Sequence, residues 1–104
     1  MNKEDIQKYV DNRPEGEAPI LLTEPVEGCY AITVPRGMNG KITASIYGNK
    51  VEITTKGMRL SDITYLTNQG YELDAQIGDR VKGTVSSKDE LANLVDALVN
   101  MPTK

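Results

Sequence analysis

Residues Ile42 to Thr55 read ITASIYGNKVEITT, two alternating runs on either side of Gly48-Asn49. Apolar and polar side chains that alternate with a period of two mark a half-buried strand. A two-residue Gly-Asn interval between two such runs is a hairpin signal, because glycine supplies the positive φ that a primed turn requires. That loop sets the register: Tyr47 faces Lys50, Ile46 faces Val51, Ala44 faces Ile53 and Ile42 faces Thr55. The alternation continues backwards from Tyr30 through Ile32 and Val34, with Cys29, Ala31 and Thr33 on the opposite side. Carried through a five-residue loop, Arg36 to Gly40, the register pairs Val34 with Ile42, Ile32 with Ala44 and Tyr30 with Ile46. Three antiparallel strands then share one apolar face.

Helices flank this unit. Asn2 is placed to cap a first helix, with Glu4 and Asp5 in its first turn and Ile6, Tyr9 and Val10 on one side, and Pro14 ends it. In the middle of the chain, RLSDITYLTNQGYEL predicts a short helix with Ser61 as N-cap, Leu60 and Tyr65 as a hydrophobic staple and Gly70 beyond its end. The final helix has Ser87 and Glu90 in capping-box spacing, an apolar stripe of Leu91, Leu94, Val95, Leu98 and Val99, and Pro102 after its end. It is about 20 Å long at about 1.5 Å per residue, enough to cross several strands.

Between the last two helices the chain repeats the pattern of the first hairpin in YELDAQIGDRVKGTVSS. A three-residue loop, Gly78 to Arg80, would set Ile77 against Val81 and Leu73 against Val85. Residues 41–69 and 71–100 then read as two β-β-α units, with Gly40, Val51 and Thr54 matched thirty positions later by Gly70, Val81 and Thr84. An internal duplication would produce these matches, and so would the few residue types that hairpin turns accept. The expected fold is α+β: one domain over 1–104, with an antiparallel sheet of about five strands and the C-terminal helix packed on one face. Residues 1–28 form the N-terminal helix and a Pro/Glu-rich arm, and residues 29–104 the α+β core. The arm has three prolines and four glutamates around Ile20, Leu21 and Leu22, and reads as irregular with at most a short edge strand.

Composition narrows the chemistry. There is no histidine and one cysteine, so an internal disulfide is excluded and the imidazole that usually activates a serine or cysteine nucleophile is missing. No catalytic residue, no metal set and no cofactor loop is found; GNK and GDR neither open a helix nor form a glycine-rich fingerprint. Neither a membrane span nor an apolar leader is seen, and the expected location is cytoplasmic. Cys29 reads as a small buried hydrophobe.

Charge is laid unevenly over the net −3: residues 41–59 hold four basic groups and one acidic, with seven acidic and four basic groups on either side. The wet face of the hairpin displays Lys41, Thr43, Ser45, Tyr47, Lys50, Glu52, Thr54 and Lys56. Lys41, Tyr47, Lys50 and Lys56 suit a phosphate backbone with a stacked base, although ordinary solvated sheet faces have similar composition. On the arm, Glu15 and Glu17, with Glu24 and Glu27, and the apolar run Ile20, Leu21 and Leu22 suit a protein partner. These features lead to an expectation of a non-enzymatic binding protein acting through protein contacts. One form of this expectation is a phage or mobile-element protein that inhibits a host system. The alternative is single-stranded nucleic-acid binding through the 41–56 hairpin.

Overall fold

The computed structural model describes residues 1–37, 40–74 and 80–102. Its elements run α1 (Lys3–Asp11), β1 (Leu21–Val26), β2 (Cys29–Arg36), β3 (Gly40–Tyr47), β4 (Lys50–Thr55), α2 (Leu60–Asn68), β5 (Glu72–Leu73), β6 (Arg80–Thr84) and α3 (Lys88–Val99). The strands form one antiparallel sheet in the order β1-β2-β3-β4-β6-β5. Ile32, Val34, Ile42, Ala44, Ile46, Val51, Ile53 and Val81 project from one side of it. They form a single buried cluster with Ile6 of α1, Leu66 of α2 and the α3 stripe. The helices therefore cover one face, and the fold is a two-layer α+β arrangement.

The central register is the one the hairpin dictates, from Tyr47 opposite Lys50 to Ile42 opposite Thr55, and from Tyr30 opposite Ile46 to Val34 opposite Ile42. Gly48 has φ +60, while no non-glycine residue among those described has a positive φ. This combination is a type II′ turn. A Cβ on Gly48 would meet nothing within 4 Å, so a side chain there is opposed by backbone conformation alone. Gly48→Val should therefore lower stability by about 1 kcal/mol or more. Thermal melting checks this, and a wild-type midpoint would contradict the turn.

The second hairpin departs from the expected register. Leu73 lies opposite Val81 and Glu72 opposite Lys82, and the Asp74 N–H donates to the Arg80 carbonyl at 2.9 Å. Of the proposed loop Gly78 to Arg80, residues 78–79 and the Ile77 pairing lie outside the described residues, while Arg80 is the first residue of β6. Two contacts explain why Val85 does not pair with Leu73: its N–H donates to the Asn49 carbonyl at 2.8 Å, and its side chain is in the core. In addition, Tyr71 lies against Gly83, where a Cβ would come within 2.5 Å of the ring. The two hairpin-helix units share an order of elements but not a register. Ala44 opposite Ile53, moved on by thirty, would pair 74 with 83, whereas Asp74 meets Arg80.

Four local expectations also change. α2 begins at Leu60 with Arg59, not Ser61, as its N-cap, because the Asp62 carboxylate accepts the Arg59 N–H at 3.0 Å. Leu60 is then 78% exposed and makes no staple with Tyr65. At the other end, Gly70 has φ +102, and the Tyr71 and Gly70 amides donate to the Leu66 and Thr67 carbonyls, a Schellman close. Before α3, Ser87 Oγ accepts the Glu90 N–H, but the Glu90 carboxylate reaches back to Ser86 rather than to Ser87. The segment read as an irregular arm contributes β1, a six-residue edge strand paired with β2.

Candidate functional site

With the helices on one side, the other face of the sheet is built from the remaining alternation. In register across the strands, one row runs Leu21, Thr33, Thr43, Thr54 and Arg80, and the next runs Thr23, Ala31, Ser45, Glu52, Lys82 and Glu72. A third runs Val26, Cys29, Tyr47, Lys50 and Thr84, and Lys41 stands opposite Pro35 beyond the first. The middle strands present short side chains. Cys29 and Ala31 are buried, yet they stand outside the helix-facing cluster. Cys29 is screened by Tyr47, whose phenol is pushed up in pKa by its hydrogen bond to the Cys29 thiol and by that group's proximity.

The flanks differ. On the β1 side, Leu21 is 60% and Val26 61% exposed. On the β4-β6 side the face is charged: Arg80 Nη1 donates to Glu52 Oε2 at 3.0 Å, which occupies both groups. Lys41, Lys50, Lys82 and Glu72 make no ion pair among the described residues. Lys50, Glu52, Gly70, Glu72, Lys82 and Thr84 line a shallow cavity of about 430 Å³ over this flank.

The structure sorts the residues singled out from sequence into separate places. Lys41, Tyr47 and Lys50 share the open face, and Lys56 is exposed just past β4. Leu21 joins them, while its neighbours Ile20 and Leu22 turn inward against the core. Glu15 and Glu17 are exposed in the turn region after α1, and Glu17 borders a separate cavity with Tyr9, Arg13, Lys88 and Asp96. Glu24 is engaged within the chain: its carboxyl is held below the usual range by the Lys3 side chain, 3.1 Å away, and by the Gly28 N–H. Sequence reading missed Val26, Arg80 and Lys82 as parts of this surface. Arg80, Lys82 and Thr84 do alternate, but only the sheet order shows that they extend the hairpin face.

Asp62 is the one buried charged side chain among the described residues, at 3% exposure. Arg36 Nη2 donates to its Oδ1 at 2.5 Å and to the Pro102 carbonyl at 2.6 Å, while its Oδ2 takes the Arg59 amide. Both oxygens are occupied, so the group ties β2, α2 and the segment after α3 together rather than offering a reactive carboxylate. Among the described residues, no set of three or more Cys, Asp or Glu is arranged to hold a metal ion. No helix there is long and apolar enough to cross a membrane.

Fold and surface together define a class: a two-layer α+β protein with its helices on one side of an antiparallel sheet and a mixed apolar and cationic face on the other. Comparison with known protein families, curated proteins and solved structures gives no match to this chain.

Proposed function

We propose that the chain is a non-enzymatic binding protein that works through protein contacts made by its open sheet face. The observation that carries this reading is the placing of exposed Leu21, Val26 and Tyr47 on the face the helices leave free, together with Lys41, Lys50 and Lys82, which make no ion pair among the described residues. Aliphatic, aromatic and cationic groups on one surface suit a protein partner, whose own surface supplies apolar and anionic counterparts. Blocking a component of a host system is the form of this activity we put forward, with a cytoplasmic location in keeping with a free Cys29. The presence of these lysines on the same face as Tyr47 is the observation that favours a second reading, binding of single-stranded nucleic acid.

Affinity capture from a bacterial lysate tests the proposal when run with two sets of substitutions. Lys41→Glu, Lys50→Glu and Lys56→Glu together should abolish capture of a protein partner and leave thermal melting nearly unchanged, since all three side chains are exposed. Glu15→Gln, Glu17→Gln and Glu27→Gln together should have little effect. Grouped changes are needed because an exposed charge contact contributes only about 0.2–1 kcal/mol. The opposite pattern would move the contact to the acidic segment, and recovery of no protein would overturn the reading. A mobility shift with single-stranded DNA that weakens steeply with salt would favour the nucleic-acid reading.

A further inference from the structure

We infer that the partner presents an acidic amphipathic α-helix, which lies along β2 and β3 of the open face. This inference rests on the protein-contact reading and specifies the chemistry of the other side. The short side chains Ala31, Thr33, Thr43 and Ser45 form the floor, and the larger groups of β1 and of β4-β6 form its two walls. Adjacent strands are about 4.8 Å apart, which puts β1 and β4 about 14 Å from one another, wide enough for a helix about 10–12 Å across. The eight residues of β3 extend about 27 Å, the length of a helix of about 18 residues.

The walls choose the helix. Leu21 and Val26 call for an apolar stripe on one side. Opposite them, Lys50, Arg80 and Lys82 outnumber Glu52 and Glu72; Arg80 occupies Glu52, Lys50 and Lys82 make no ion pair among the described residues, and the cavity they line with Glu52, Glu72 and Thr84 has room for acidic side chains of a partner. Nucleic acid fits less well: aliphatic Leu21 and Val26 have no counterpart in a phosphate backbone, and Tyr47 is the only aromatic in these rows. A second copy of the chain does not supply the helix, since the apolar faces of α1, α2 and α3 are in its own core. The free edge of β1 is also a poor seat, because Pro25 lacks a donor and the register slips between Thr23 and Val26.

The test is fluorescence anisotropy of labelled synthetic peptides of about 18 residues titrated with the whole chain. One peptide has Leu and Ala on one face with Glu beside them; the others are the same peptide with Lys for Glu, a scramble of equal composition, and an oligothymidylate. The acidic helix should bind at least about tenfold tighter than any of these, and Lys50→Glu with Lys82→Glu should weaken it by about tenfold or more. Glu15→Gln with Glu17→Gln should change nothing. Amide chemical shifts should move at Ala31, Thr43 and Ser45, a readout independent of the charge variants. Equal binding of the acidic and basic peptides, tighter binding of the oligothymidylate, or shifts confined to the helical side would overturn the inference. If a lysate protein is captured through the open face and the acidic helix does not bind, this inference falls and the protein-contact reading stands. If neither occurs, both fall.

Discussion

Arg36→Ala should destabilise the fold by about 3–5 kcal/mol, because it leaves the Asp62 carboxylate buried without its main counter-charge. The Arg36 side chain is itself only 11% exposed, and it also satisfies the Pro102 carbonyl, so truncation strips a second acceptor of its donor. Exchanging both partners for apolar residues of similar size, Arg36→Met with Asp62→Leu, should be milder than either single change. Chemical denaturation of Arg36→Ala, Arg36→Met, Asp62→Leu and the double variant provides the comparison; a double variant as unstable as Arg36→Ala would locate the effect in lost packing instead.

The same contact makes stability depend on acid. Burial works to raise the Asp62 pKa, but the hydrogen bond from Arg36, the Arg59 N–H and the two guanidinium charges outweigh it and hold the carboxyl below its ordinary 3.8. The unfolded chain therefore takes up this proton first. The stabilisation is fully present above the unfolded value and is lost as pH falls through the folded one. Stability should decline below about pH 4, and Asp62→Asn, though less stable at neutral pH, should show a shallower decline there. Equal slopes for the two proteins would count against the role of Asp62.

Leu98→Ala is expected to remove about 2–5 kcal/mol. Leu98 sits within the α3 stripe, where Leu91, Leu94 and Val95 complete the face that meets the sheet. A cavity there would open between helix and strands. For a domain whose whole stability is about 5–15 kcal/mol, this is a large share. Denaturant unfolding should show a lowered midpoint with the slope preserved. An unchanged midpoint would mean that the stripe does not bear on the sheet.

What could be read directly from the chain is what neighbouring residues determine among themselves. The II′ turn at Gly48-Asn49 confines β3 and β4 to one register, and the same period of two carries β2 into place, so Lys41, Tyr47 and Lys50 fall on one face by alternation alone. Caps at Asn2 and Ser87 follow from side chains within three residues of the amides they satisfy. The remainder depended on contacts between distant segments. Leu73 pairs with Val81 because Asn49 and the core have already claimed Val85, and Tyr71 sits on Gly83. Asp62, an ordinary first-turn acid in the sequence, becomes a buried ion because Arg36 arrives from twenty-six residues away. The candidate surface divides in the same way. Periodicity assigns each strand's outward side chains, but it does not say which strands are neighbours. Arg80 and Lys82 meet Glu52, and Leu21 and Val26 form the opposite wall, only because packing the three helices against one side sets the order β1-β2-β3-β4-β6-β5 and leaves the other side to the solvent.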